Sequence, residues 1–323
     1  MPSIGSKRIV KKSLLLVLFF SLIFVSLRLQ FALLQKIPVQ DANQTFIVER
    51  GDSLYGILSN LEEKYNLSST WWIRFKYMFK ESPVIKAGRY NIFPNTTVSE
   101  LIERFEDGDV QLFKIAIIEG TVAKNNLVNL ENIIEDQNLN FEVPQSVRDI
   151  FAKEALIMPD TYFFSDAQDL KKVLNNSKLF LDEYLINAWK EKSKNNPLQS
   201  PYEALVLASI IEREAVLPSE QEKIASVFLS RLNIDMKLQA DPTSSYGFYG
   251  DYGKKIGRAV LDDKNPYNTY QNKGLPPGPI CYPSKGAIDA AIKSSPGEFY
   301  YFVAKGDGSH IFSKTYEEHN KAV

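Results

Sequence analysis

Residues Ser13 to Leu27 form a run of 15 without a charge, directly behind Lys7, Arg8, Lys11 and Lys12. Such a run does not belong on the surface of a globular domain, so it divides the chain before any motif is considered. It is shorter than the ~20 residues that usually span a bilayer, but Leu29 to Leu34 extend its apolar character and Arg28 can snorkel. The basic residues ahead of it predict a cytoplasmic N-terminus and an exported remainder. No clear small-x-small cleavage pattern follows the run. Residues 1–36 therefore read as a cytoplasmic tail and retained single-pass anchor in the cytoplasmic (inner) membrane, with a cleaved signal peptide as the alternative.

The remainder is long enough for more than one core. Of 323 residues, 44% are hydrophobic and 24% charged, which excludes a disordered or fibrous chain. A net charge of −1, with Lys and Arg dispersed, gives no footprint for nucleic acid. One cysteine, Cys281, excludes an internal disulfide, and two histidines, His310 and His319, assemble no metal cluster; neither a metal nor another cofactor is expected.

Beyond the polar connection Ile37 to Thr45, Phe46 to Leu54 reads as a strand, a Gly51-Asp52 turn and Ser53 capping a helix from Leu54 to Lys64. This stretch resembles the opening of a LysM-type module, which would imply contact with N-acetylglucosamine-containing glycans. An aromatic helix from Trp71 toward Lys80 follows, then a strand at Tyr90. Thr97 and Glu100 form a capping box for a helix closed by Gly108, and Leu112 to Ile118 is a further strand. Residues 44–119 thus read as a small α+β module.

From Thr121 to Ser200 the pattern is mostly helical, interrupted by the turn Met158-Pro159-Asp160-Thr161-Tyr162. In Ala208 to Ala215 an acid falls on an apolar helix face. At about 100° per residue, Glu214 shares the direction of Leu207 beside Ile210 and Ile211, whereas Glu212 points roughly 160° away and reaches water more easily. A carboxylate held there has a raised pKa and suits acid chemistry. The alternative is a helix that ends before Glu214, because Pro218 follows closely. Ser219 to Glu222 reads as a capping box for a second helix through about Arg231, making a helical hairpin. Pro- and Gly-rich segments at 265–280 suggest a groove wall, and Phe299 to Ala304 with His310 to Ser313 suggest a C-terminal β-hairpin around Gly306-Asp307-Gly308.

Several motifs occur together: IKAGRY at 85–90, IIEG at 117–120, MPDTY at 158–162, IIEREA at 210–215, LQADPTSSYG at 238–247, PYNTY at 266–270, GLPPGPI at 274–280, YFVA at 301–304 and HNKAV at 319–323. In this order and spacing they closely resemble the endolytic murein transglycosylases (MltG, YceG-like). The resemblance implies an α+β protein with an anchor, a LysM-like module and a catalytic domain over 120–323. It implies cleavage of peptidoglycan between N-acetylmuramic acid and N-acetylglucosamine, leaving a 1,6-anhydro end and terminating nascent strands. Glu214 would be the single catalytic acid and base, with Gln239, Asp241, Tyr246, Asn268 and Tyr270 as the polar residues on the substrate. His310 also matches a family position. Peptidoglycan strands and the membrane are the implied partners, and a peptidoglycan synthase (penicillin-binding protein) is a further candidate. Ala215 departs from the family's usual Thr or Ser and puts the hydrogen-bond support of the acid in doubt. A hydrolytic muramidase and a non-catalytic peptidoglycan-binding scaffold are the alternatives.

Overall fold

The computed structural model describes residues 4–40 and 44–323, with side chains from residue 11 onward. The tip of the expected cytoplasmic tail (1–3) and part of the expected connection (41–43) lie outside the described residues. The fold is mixed α+β, with two compact units, 1–112 and 113–323.

The first unit comprises α1 (Ile4–Leu34), β1 (Gln44–Val48), α2 (Leu54–Tyr65), α3 (Thr70–Met78), β2 (Gly88–Ile92) and α4 (Val98–Asp107). Within α1, Lys11–Leu34 is long and apolar enough to cross a membrane. The local signals act as the sequence predicts. Ser53 Oγ accepts from Gly56 N at 3.2 Å, Thr97 and Glu100 complete a reciprocal capping box, and Gly108 ends α4 at φ 72°. β1 and β2 pair antiparallel with Phe46 opposite Tyr90. Their inner face meets Ile57, Leu61, Ile73, Leu101 and Phe105 in one core.

That core also takes the end of α1. Ala32 and Ile37 are each 1% exposed, Val98 N donates to Gln35 O at 3.0 Å, and Ile37 N donates to Thr96 O at 2.9 Å. The helix that begins as an apolar span is thus pinned into the unit that follows it.

The second unit contains β3 (Phe113–Ala116), α5 (Ala123–Asp136), α6 (Gln145–Phe151), β4 (Thr161–Phe164), α7 (Ala167–Trp189), α8 (Pro201–Glu214), α9 (Gln221–Asn233), α10 (Asp241–Tyr249), α11 (Arg258–Asp262), α12 (Lys285–Lys293), β5 (Tyr301–Ala304), β6 (His310–Ser313) and α13 (Tyr316–Ala322). β3 pairs antiparallel with β4, so the MPDTY turn leads directly into a strand. Phe113, Ile115, Leu130, Val147 and Phe164 share one core.

A second core surrounds α8. Every residue from Ala204 to Ile211 is buried, so α8 is central rather than amphipathic, packed by α7, α9 and α12. Its start is fixed by Ser200, whose hydroxyl accepts from Glu203 N at 3.2 Å, and by Pro201 at the first turn. α9 begins differently from the sequence expectation. Pro218–Glu220 form a short 3-10 turn that puts Glu220 at the N-cap without a side-chain bond, so the expected Ser219–Glu222 box does not form. The C-terminal hairpin forms as expected, with Ala304 opposite His310.

Candidate active site

Glu214 is the last helical residue of α8. Ala215 N still donates to Ile211 O at 2.8 Å, and its backbone then turns extended at φ −84° and ψ 101°. The helix therefore reaches Glu214 instead of fraying before it, and the acid lines a cleft of about 390 Å³. Gln239, Asp241, Tyr270, Arg231, Tyr301 and His310 line the same cleft.

Burial pushes the Glu214 carboxyl up to about 8; the Asp241 carboxylate adds to the rise, and Arg231 and Arg213 oppose it. No hydrogen bond from a described residue enters that balance. The side chain of Ala215, next to Glu214, has no donor to offer. Glu212 behaves differently from the sequence expectation that it reaches water. It accepts from Ser284 N at 3.0 Å and from Ser284 Oγ at 2.6 Å, tying α8 to the start of α12. Arg213 donates to Gly120 O at 3.1 Å and lies 3.9 Å over the Tyr252 ring.

The opposite rim is built by the segment before α10. Arg231 Nη1 donates to Leu238 O at 2.6 Å and Arg231 Nε to Tyr300 O at 2.7 Å, joining α9 to both walls. Gln239 follows in the left-handed region at φ 46°, exposed, with its N–H on Thr269 O at 3.2 Å. Asp241 opens α10, and Tyr270 Oη donates to its carboxylate at 2.7 Å. On the hairpin side, His310 Nδ1 meets Glu220 at 2.7 Å, and His319 stacks on Tyr301 at 5.4 Å.

Two of the residues expected on the substrate lie elsewhere. Asn268 is 0% exposed: its amide donates to the carbonyls of Val260, Leu261 and Asp263, and its oxygen accepts from Ser244 Oγ and Tyr270 N. It holds Tyr270 in position from behind. Tyr246 lines a separate cavity of about 940 Å³, where its hydroxyl donates to Glu154 at 3.2 Å. Burial pushes Glu154 up to about 7.

The sequence reading missed Arg231 and Tyr301. A signal for Arg231 was present, since it continues the Ile224, Val227, Phe228 face of α9, a charge on an apolar stripe like Glu214. Tyr301 carries no comparable mark.

The chain is 29% identical over 311 residues to an endolytic murein transglycosylase of Bacillus subtilis (strain 168), covering 88% of this chain and 86% of that protein. It is 26% identical to the endolytic murein transglycosylase of Streptococcus pneumoniae (serotype 2, strain D39), covering 91% of this chain and 61% of that longer protein. Among solved structures, a putative YceG-like protein from Listeria monocytogenes matches with a TM-score of 0.51 and 29% identity, over 87% of this chain and 99% of that one. The model of the YceG-like family matches residues 46–323, a span that holds the whole cleft, and the chain belongs to that family.

Proposed function

We propose that this protein is a membrane-anchored peptidoglycan lytic transglycosylase that cuts within glycan strands and so ends their elongation. The observation that carries the reading is Glu214, a carboxyl pushed up to about 8 where it lines a cleft. It is protonated at neutral pH and can deliver that proton to a glycosidic oxygen. As the bond to the leaving N-acetylglucosamine breaks, the new carboxylate lies within the field of Arg231 and Arg213. It then takes the proton of the muramic acid C6 hydroxyl, whose oxygen closes onto C1 and gives the 1,6-anhydro end. The internal hydroxyl replaces water, so no second catalytic acid is needed.

Gln239, Asp241 and Tyr270 are the residues we assign to holding the sugar, and Asn268 fixes Tyr270 for that task. The names of the relatives from Bacillus subtilis and Streptococcus pneumoniae support the substrate class. α1 is assigned as the anchor, with the basic residues before it on the cytoplasmic side and both units outside. The strand-turn-helix of β1 and α2 is assigned a LysM-like role on the glycan. A peptidoglycan synthase fits the proposed role as partner.

Asp241 supports a second reading, because a second carboxylate in electrostatic reach of Glu214 is what a hydrolytic muramidase would use to activate water. The experiment is digestion of uncrosslinked glycan strands by the full chain and by Glu214→Gln, with mass spectrometry of the ends. Anhydro ends from the unaltered protein alone are expected, with activity falling as pH rises through about 8. Reducing muramic acid ends would select the hydrolase, and equal cutting by Glu214→Gln would remove Glu214 from the chemistry.

A further inference from the structure

α3 has two unlike faces. Ile73 points into the core of the first unit at 0% exposure, and Arg74 pairs with Glu62 at 2.8 Å. Trp71, Phe75, Met78 and Phe79 occupy positions i, i+4, i+7 and i+8, one stripe on the other side. Trp71 is 56% exposed, Met78 67% and Phe79 77%. Their rings form a continuous surface, Trp71 stacked on Phe75 at 5.4 Å and Phe75 edge-on to Phe79 at 5.3 Å. An ordered aromatic face left open to water marks a partner surface.

The neighbouring element says what that partner is. Trp72 sits edge-on to Phe24 of α1 at 6.0 Å, inside the span Lys11–Leu34. One turn on, the Arg28 guanidinium lies over the Phe24 ring at 5.3 Å. Arg28 is the first charge after the apolar run, so its head marks the level where hydrocarbon gives way to headgroups. Trp72, and α3 with it, is held at that level. No slack intervenes, because Ala32, only about 6 Å farther along the helix axis at 1.5 Å per residue, is already buried in the core of the unit.

We infer that the outer face of α3 is a second membrane contact: Trp71, Phe75, Met78 and Phe79 enter the interfacial layer of the bilayer, beside the Arg28 head of α1. The ligand is a phospholipid surface, which suits amphipathic aromatic side chains at the boundary and a basic side chain beside them. α1 fixes the height of the unit, and α3 prevents it from rotating about α1. The inference rests on the assignment of α1 as a membrane span.

Single-tryptophan forms of the full chain test it in phosphatidylglycerol–phosphatidylethanolamine vesicles that carry lipids brominated near the headgroup end of the acyl chains. One form keeps Trp71 (Trp72→Phe, Trp189→Phe); a second, with Trp71→Phe added, reports from Phe24→Trp in α1. The expected result is loss of emission with brominated lipid in both, together with protection of Trp71 from aqueous iodide. Bromine quenching at Phe24→Trp alone, with Trp71 open to iodide, would overturn the inference and leave the anchor standing. Trp71 shielded from both quenchers would mean that protein covers the face, which also overturns it. Quenching at neither position would remove the anchor and the inference together.

Discussion

At the scale of single residues, the same burial that suits Glu214 to acid chemistry makes it a liability to the fold. Its folded-state value, about 8, lies above the ordinary 4.5, so the fold favours the neutral form. Stability from this group is complete below the ordinary carboxylate range and is lost as pH rises through about 8. Glu214→Gln keeps the shape and never ionises. It should match the unaltered protein at pH 4 and exceed it by on the order of 2 kcal/mol at pH 9, part of the full linkage because the cleft admits water. Thermal melts across that range check this, and a gap that does not vary with pH would contradict it. Asn268 carries the opposite kind of cost. Asn268→Ala leaves the carbonyls of Val260 and Asp263 and the Tyr270 N–H without this partner, while Leu261 O keeps Gln271 Nε2, a loss of about 3 kcal/mol in denaturant unfolding.

At the scale of elements, the parts of the fold legible in the sequence are those whose signals are local. The Ser53 cap, the Thr97–Glu100 box and the turn at Gly306 to Gly308 each act within a few residues, and each appears where the letters place it. α10 was not legible. Its sequence, DPTSSYGFY, is poor in helix formers, and it is held by partners more than 20 residues away: Thr243 on Thr269 and Ser244 on Asn268. The capping box expected over Ser219 to Glu222 misled, since the chain enters α9 through a 3-10 turn that puts Glu220, not Ser219, at the N-cap. Of the candidate site, angles on one helix pointed to Glu214, which does line a cleft, but not to the surroundings of Glu212, which Ser284 engages from 72 residues away. No angle separates Tyr270, which lines the cleft, from Tyr246, which lines another cavity.

Arg231 is where element packing and chemistry meet. Arg231→Met frees the carbonyls of Leu238 and Tyr300 and should cost about 3 kcal/mol. It also removes a positive charge that holds Glu214 down, so the alkaline limb of the kcat/KM profile should move to higher pH. A purely structural arginine would leave that limb in place, and a pH–rate series on the folded variant distinguishes the two.

At the scale of the whole molecule, the first unit has one core and the second has two, and that of the first begins inside the apolar helix. The helix proposed as anchor is therefore not a tether separable from the unit that follows it. A chain started beyond Leu34 loses Ala32 and Leu33 from that core, and its first unit should melt at lower temperature than in the detergent-solubilised full chain, as read by amide hydrogen exchange.

The lone cysteine offers a view of the second unit that no substitution is needed to obtain. Cys281 is 0% exposed beneath the middle of α8, its thiol donates to Ser209 O at 3.2 Å, and burial pushes the group well above its usual range. Thiol reagents should leave it untouched in the closed protein and react only when α8 lifts from the segment after Ile280. With a single thiol in 323 residues, the labelling rate becomes a clock for that one opening, and a saccharide that settles in the cleft should slow it.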